Sequence, residues 1–277
     1  MSPPEAAGEG AAASRSATVE GDGQRPKFDS IESAVEDIRQ GKFVIVLDDE
    51  DRENEGDLII AADAITTEQM AWLIRHTSGF ICISLHPSLI EALEIPMMVP
   101  INTEKNKTAY TVTLDYRHGT TTGISAHDRA LSSRMLAKAW RQRHGQLNDG
   151  EDEVKPGDFC RPGHLCPLRY TEGGVRRRSG HTEASVDLAV AASLPPVALL
   201  CELVDPSDET GSIASRDACF AFARQHKIKV TTIEMLRAWR ESREPALVNG
   251  DNSQTSLDRE RGVQLNGQAV VGPSLSS

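Results

Sequence analysis

A dense acidic run directly follows a short apolar run near the start of the chain, and this pairing limits how the segment can fold. Residues 43–47 read FVIVL, which is typical of a buried strand, and residues 48–57 read DDEDRENEGD. Seven carboxylates within ten positions repel one another, so they cannot be packed away from water without a partner. The run is therefore predicted to form a loop at the end of a strand.

The acidic run has more than one explanation. A solvated acidic turn accounts for the charges alone, whereas a calcium loop of the EF-hand type does not match the spacing. Strand ends in α/β sheets often present ligand groups, and Arg52 within the run could reach a phosphate or a carboxylate. A divalent cation bound at this strand end would relieve the repulsion.

Strand-like and helix-like patterns alternate along residues 28–244, which predicts a mixed α+β (α/β) fold. Apolar residues at 31, 34, 35 and 38 follow the spacing of one helix face. Further helices are predicted at 67–79, 125–140, 182–192, 214–226 and 233–239. Further strands are predicted at 81–85, 110–114, 197–204 and 228–231.

The composition limits the possible domain organisation and the possible binding partners. Residues 1–27 and 245–277 lack the pattern of a packed core and are predicted to be flexible tails of one domain. The net charge of −11 opposes general binding to nucleic acid or to an anionic membrane. No apolar run is long enough to span a membrane, no targeting segment is evident, and five cysteines form no framework. These features predict a cytoplasmic protein.

A second polar segment, residues 178–183 (RSGHTE), opens a predicted helix. The free amide groups and the positive dipole end of a helix N-terminus suit a phosphate. Gly180 lets the backbone approach a ligand closely, and Arg178 adds positive charge. His181 could bind a metal through a neutral ring nitrogen, although a surface capping histidine explains it as well.

Four further polar positions have both a structural and a functional explanation. The segment RPGH is predicted to be a rigid turn, whose His164 is either exposed to water or used for proton transfer. Glu202 falls inside a predicted apolar strand, where it needs a buried salt bridge or a catalytic role. Thr122 precedes a predicted helix and offers a hydroxyl group to a ligand, but turn chemistry explains a threonine at this position equally well. Cys82 in a strand is more often a small core residue than a nucleophile.

Taken together, these segments resemble one known family. The chain contains DDEDRENEGD, HGTTTGISAHDR, RPGHLCPLR, RRRSGHTEASVDL and CELV in this order. Residues 28–240 are similar to 3,4-dihydroxy-2-butanone 4-phosphate synthase of riboflavin biosynthesis, and DRENEGD and GHTEA are specific to that family. TEQMAWLIRHTSG and TTIEMLRAWR resemble its fungal branch, and the lack of a following cyclohydrolase domain fits the monofunctional form.

The resemblance implies a compact single-domain sandwich of a mixed sheet with packed helices, and a homodimer with sites near the subunit interface. It also implies that Glu53 and His181 hold one or two Mg²⁺ ions, for which Mn²⁺ can substitute. The implied substrate-contacting residues are Arg52, Glu53, Asp57, Thr122, Arg178, Ser179, Gly180, His181, Thr182 and Glu202. The implied catalytic residues are His164, Glu202, Glu55, Asp57 and Cys82.

The implied reaction is that of a lyase, which converts D-ribulose 5-phosphate into L-3,4-dihydroxy-2-butanone 4-phosphate and formate. Enolisation beside the ketone needs a base and a stabilised negative charge, and a bound cation supplies the stabilisation. Two other functions remain open. A metal-dependent isomerase or aldolase could act on sugar phosphates, and an isomerase would release no formate. A non-catalytic protein could use the acidic loop to bind basic partners.

Overall fold

The computed structural model describes residues 27–146 and 152–245. Apart from Lys27 and Pro245, the predicted tails at 1–27 and 245–277 lie outside these ranges. The strands are β1 (Val44–Leu47), β2 (Gly56–Ala61), β3 (Cys82–Leu85), β4 (Leu114–Tyr116), β5 (Phe159–Arg169), β6 (Val197–Glu202) and β7 (Lys229–Thr232). The helices are α1 (Ile31–Arg39), α2 (Thr67–His76), α3 (Pro87–Ala92), α4 (Ala126–Arg143), α5 (His181–Ala191), α6 (Arg216–His226) and α7 (Ile233–Glu241).

The strands form one mixed sheet in the order β4-β5-β3-β6-β2-β1-β7. The pairs β1–β7 and β3–β5 are parallel, and the other neighbours are antiparallel. Successive strand residues point to opposite faces, so Ile45 and Leu58 enter one apolar core while Val44 and Ile59 enter another. Burial on both faces explains why the strands read as continuous apolar runs. The predicted sandwich is confirmed.

Helices cover both faces of the sheet, and each of the seven described helices except α5 begins at a side-chain cap. Helices α2, α4 and α6 contribute to the first core, and α1, α5 and α7 contribute to the second. The side chain of Ser30 caps α1, that of Ser125 caps α4, and Thr66 and Gln69 form a capping box at α2. Among the described residues, none of the helices combines the length and the hydropathy that a membrane crossing requires.

Several predicted elements differ from the structure. Helix α3 and strands β2 and β5 were not predicted, and the predicted strand at 110–114 is replaced by β4, preceded by isolated bridges at Tyr110 and Thr111. The segment RPGH is not a free turn: it lies within β5. Leu114 pairs with Leu165 while Asp115 pairs with Cys160, so residues 161–164 form a bulge opposite β4.

Candidate active site

The acidic run forms the loop between β1 and β2, and Asp48 organises this loop from inside. One carboxylate oxygen of Asp48 accepts a hydrogen bond from the Glu55 amide at 2.8 Å. The other oxygen accepts from the Glu53 amide at 3.0 Å and from the Arg52 guanidinium at 2.9 Å. Asp48 is buried, whereas residues 49–51 are exposed. The outer part of the loop is therefore a solvated turn, and its inner part is held in place by the hydrogen bonds of Asp48.

His181, the first residue of α5, places its ring between the acidic loop and the start of β2. Its Nε2 donates a hydrogen bond to the carbonyl of Val46 at 3.1 Å, which leaves Nδ1 facing the carboxylates. Nδ1 lies 3.5 Å from Oε2 of Glu53 and 3.6 Å from Oδ1 of Asp57. The structure thus brings together Glu53 and His181, which are far apart in the sequence.

Burial and charge act in opposite directions on these groups. Burial opposes protonation of His181, but the negative charges of Asp57, Glu53 and Asp48 raise its pKa to about 9. Burial also opposes ionisation of Glu53, yet its hydrogen bond with His181 and the charge of Arg52 lower its pKa to about 2. Burial is the largest influence on Asp57 and raises its pKa to about 7. When no metal is bound, His181 carries the positive charge that this acidic site requires.

The same residues fit a divalent cation. One ligand atom from each of Asp48, Glu53 and His181 lies within 4.8 Å of the others. In addition, Oδ1 of Asp57 is buried without a hydrogen-bond partner, which is costly unless an ion or a proton lies beside it. Carboxylate oxygens with one imidazole nitrogen suit Mg²⁺ or Mn²⁺. Because a metal needs a neutral imidazole, a bound cation would displace the proton from Nδ1.

Arg178 is held in place by Glu183, a fully buried carboxylate in the first turn of α5. Nη1 of Arg178 donates to Oε2 of Glu183 at 2.6 Å, and the Thr171 amide donates to Oε1 at 3.1 Å. A side chain at Gly180 would collide with Nη1 of Arg178, and its Cβ would lie 2.9 Å from Oε2 of Glu183. Gly180 therefore leaves room for the ion pair across the start of the helix.

Residues 102–108 contact both ends of the site. Nη2 of Arg178 donates to the Asn106 carbonyl at 3.1 Å and to Oγ1 of Thr108 at 3.0 Å. The Asn106 side chain donates to Oε1 of Glu53 at 2.6 Å. Glu104 braces the segment, because its two oxygens accept from the amides of Asn106 and Thr108 at 2.7 Å. This segment links the acidic loop to the arginine.

These groups surround one cleft, which contains about 430 Å³ of space not filled by protein atoms, part of it open to solvent. The lining residues are Arg52, Glu53, Glu55, Asp57, Cys82, Thr108, Tyr110, Leu168, Arg178, His181, Thr182, Leu200 and Glu202. Carboxylates and cationic side chains line the same cleft, so it can accommodate a cation beside an anionic group.

Comparison with known proteins identifies the family. The sequence model described as 3,4-dihydroxy-2-butanone 4-phosphate synthase matches residues 32–239. The chain belongs to this family. The synthase of Schizosaccharomyces pombe is 53% identical over 210 residues, which are 76% of this chain and 96% of that protein.

Solved structures of this synthase family share the fold. A crystal structure of 3,4-dihydroxy-2-butanone 4-phosphate synthase in complex with two magnesium ions has a TM-score of 0.71 and 47% identity, and covers 78% of this chain and 98% of that chain. A cation-free form has a TM-score of 0.69 and 46% identity, and covers 79% of this chain and 100% of that chain.

Most site residues that the synthase resemblance implied line the cleft. The four that do not are Thr122, His164, Ser179 and Gly180. Gly180 instead makes room for Arg178, and Ser179 is exposed in a neighbouring groove on the acidic loop. Thr122 and His164 are exposed and belong to the region of β4, β5 and the start of α4. One copy of the chain therefore does not place all the implied residues around a single cleft.

The predicted environment of Glu202 needs correction, whereas that of Cys82 agrees with the structure. Glu202 is the last residue of β6 and is partly exposed, because the strand ends two residues earlier than predicted. Its Oε2 accepts a hydrogen bond from Oγ of Ser78 at 2.6 Å, and it makes no salt bridge in the described structure. Cys82 is buried beside Cys166, and this contact together with burial raises the pKa of Cys82 above its ordinary value. Its thiol is neutral, as expected of a core residue.

Sequence reasoning missed four residues that shape the site: Asp48, Asn106, Thr108 and Glu183. Asp48 belongs to the acidic run, but nothing in the sequence distinguishes it from its acidic neighbours. Glu183 belongs to the GHTE motif, where its buried pairing with an arginine could have been inferred. Asn106 and Thr108 carry no signal in a single sequence, because their role depends on a tertiary contact.

Proposed function

We propose that the chain converts D-ribulose 5-phosphate into L-3,4-dihydroxy-2-butanone 4-phosphate and formate, as a step of riboflavin biosynthesis. The observation that carries the proposal is the 3.5 Å approach of Glu53 to His181 in a cleft that also contains Arg178. The first two residues support a cation site, and the third supports a phosphate site. Membership in the synthase family supports the same reaction.

Glu53 and His181 are the proposed ligands for Mg²⁺, the ion named in a solved relative, or for Mn²⁺ in its place. Asp48 adjoins them, and Oδ1 of Asp57 is available if two ions bind. When bound, the cation supplies Lewis-acid stabilisation for the negative charge that develops on the substrate oxygen. The proton on Nδ1 of His181 would be released to solvent on binding.

Carboxylates of the cleft are proposed to move the protons. Burial raises the pKa of Glu55 and raises that of Asp57 to about 7, and a carboxylate with a raised pKa is a stronger base for proton transfer. Either of them can take the proton from the carbon beside the ketone. Glu202 pairs with Asp57 in the register of β2 and β6 and is oriented by Ser78, which suits a later proton transfer. Cys82 lines the same wall as a neutral thiol.

The phosphate is proposed to bind at the start of α5. Arg178 and Thr182 line the cleft there, and the first amide groups of a helix have no carbonyl partner within the helix. The hydrogen bonds of Arg178 to residues 106 and 108 could be exchanged for bonds to phosphate oxygens. Arg52 lies at the other end, where its pairing with Asp48 leaves further N–H groups for the sugar.

A homodimer is proposed to complete the site with His164 and Thr122. Exposed apolar side chains, which often mark contact surfaces, lie beside the cleft and beside the turn that contains Thr122. Phe80 is 52% exposed and packs near Tyr110 of the cleft, with ring centroids 6.4 Å apart. Ile124 is also 52% exposed and directly follows the turn that contacts His164. A second copy would bury both.

Sedimentation tests the dimer. The unmodified chain should sediment as a dimer, and Ile124→Asp or Phe80→Asp should shift it towards monomer, because a charge would be buried at the interface. Val190→Asp is the matched control, since Val190 is 56% exposed on α5. A monomeric unmodified chain, or equal effects of all three variants, would contradict the interface.

Formate release from ribulose 5-phosphate tests the function. The chain should release formate with Mg²⁺ and stop when a chelator is added. Glu53→Gln should reduce release about a hundredfold or more through loss of the cation, while Asp51→Asn, which changes the same charge at an exposed position, should retain activity. Conversion of the substrate without formate would indicate an isomerase, and an inert chain would indicate a binding protein.

The cytosol is the proposed location. The five cysteines are all unpaired, which suits a reducing compartment. The net charge of −11 supports a small-molecule enzyme without a nucleic-acid or membrane partner. Cell fractionation tests this proposal, and recovery in an organelle or on membranes would contradict it.

A further inference from the structure

The side chain of Asp115 holds His164 at two points. The β5 bulge releases the amide of His164 from the sheet ladder, and this amide donates to Oδ1 of Asp115 at 2.8 Å. The other oxygen, Oδ2, lies 2.7 Å from Nδ1 of the His164 ring. One carboxylate therefore fixes both the backbone and the ring of the same residue, and Nε2 is left as the ring nitrogen that faces away from Asp115.

The turn before α4 closes over this pair. Gly123 has a φ of +97°, and a side chain there would collide with Oδ2 of Asp115, with its Cβ 2.6 Å from Nδ1 of His164. The buried Asp128 fixes the turn, because its Oδ2 accepts from the Gly123 amide at 2.9 Å and from the Thr121 hydroxyl at 2.8 Å. The hydrogen bonds of Asp128 therefore hold the turn against the Asp115–His164 pair.

A buried arginine also lies near the pair. Arg129, in the first turn of α4, is buried, and its positive charge interacts with Asp115. The guanidinium donates to the Gly79 carbonyl at 3.4 Å, and its Nε has no hydrogen-bond partner. A buried cation without a direct carboxylate partner stabilises nearby negative charge. Asp115 is thus a hydrogen-bond acceptor for the histidine.

We propose that Asp115 is a positioning residue that keeps the proton of neutral His164 on Nδ1, so that Nε2 presents a lone pair to the substrate. This inference rests on the proposed function, in which His164 transfers a proton. Nε2 accepts a proton from a substrate hydroxyl or carbon, Nδ1–H stays bonded to the carboxylate, and the same proton later returns from Nε2 to the product. The carboxylate stabilises the imidazolium between these transfers.

Asp115→Asn separates this role from a purely structural one. The amide oxygen can still accept from the His164 backbone, while the amide nitrogen donates to Nδ1 and forces the proton onto Nε2. We expect unchanged folding and KM, and a fall in kcat of at least about a hundredfold. Asp115→Glu should recover part of the rate. Asp158→Asn is the control, because Asp158 pairs with exposed His118 at 2.9 Å.

The ring tautomer provides a second readout. In the unmodified chain, ¹⁵N NMR should show the proton of His164 on Nδ1, with the signal assigned by its loss in His164→Gln. The proton should move to Nε2 in Asp115→Asn. An unmodified chain with the proton on Nε2, or an Asp115→Asn variant with unchanged kcat, would overturn the inference. A chain that releases no formate at all would instead contradict the proposed function.

Discussion

Replacement of Asp48 by Ala should loosen the acidic loop by a predictable amount. Its side chain is 1% exposed and accepts hydrogen bonds from the amides of Glu53 and Glu55 and from Arg52. Loss of each amide bond costs about 1 kcal/mol, and loss of the bond to a charged donor costs about 1.5 kcal/mol at the low end of its range. The low end applies because Arg52 is 20% exposed and retains some water. The free energy of unfolding should therefore fall by about 3.5 kcal/mol.

Urea denaturation without metal measures this loss, and formate release at increasing Mg²⁺ measures the effect on the site. Because the loop carries a proposed ligand, the Mg²⁺ concentration needed for half-maximal formate release should rise roughly 10- to 100-fold. Asp49→Ala is the control, because Asp49 is exposed and its side chain accepts a hydrogen bond from the Asp51 amide at 2.8 Å. It should change stability by less than about 0.5 kcal/mol. Equal effects of both substitutions would refute the organising role of Asp48.

Two further predictions concern the helix start. Gly180→Ala should raise KM for the phosphorylated substrate about tenfold or more, because its Cβ would displace Arg178, whereas Gly157→Ala has nothing within 4 Å and should not. In the metal-free protein, the free energy of unfolding should fall as the pH rises from about 6.5 to about 9. The reason is that folding raises the pKa of His181 to about 9, so the folded state holds this proton more tightly than the unfolded chain does. His181→Asn should flatten this slope in urea titrations, and a rise in stability across the same window would contradict a protonated His181.

The elements that the sequence predicted are those with a local signal. Helix α2 carries both an amphipathic pattern and an N-terminal cap, α4 begins at a capping serine, and β1 is a short apolar run. Strand β2 escaped prediction because Gly56 and Asp57 continue the acidic run into the strand. Strand β5 escaped because Pro162, Gly163 and Pro167 are residues that usually interrupt strands.

The site residues that could be predicted are likewise those that belong to a local sequence motif. Glu53 and His181 belong to motifs with a family resemblance, so their meeting was predictable although their spacing was not. The contacts made by Asn106 and Thr108 depend on how residues 102–108 fold against the cleft. No local pattern encodes that contact. The bulge that frees His164 from the sheet depends on β4, which is remote in the sequence.

The register of the sheet leads to a prediction about which chain supplies His164. Cys82 pairs with Leu200 on one side and with Cys166 on the other, so β3 lies between β6, which ends at Glu202, and β5, which carries His164. Two strand spacings separate them by roughly 10 Å, and His164 does not line the cleft that contains Glu202.

If a second copy supplies His164, two inactive variants should complement each other. In a mixture of Glu53→Gln and His164→Gln subunits that exchange freely, half of the dimers are mixed, and each mixed dimer contains one site with both native residues. Formate release should therefore recover to about a quarter of the unmodified rate. If both residues act within one chain, every site in the mixture lacks one of them, and the mixture should stay as inactive as its components.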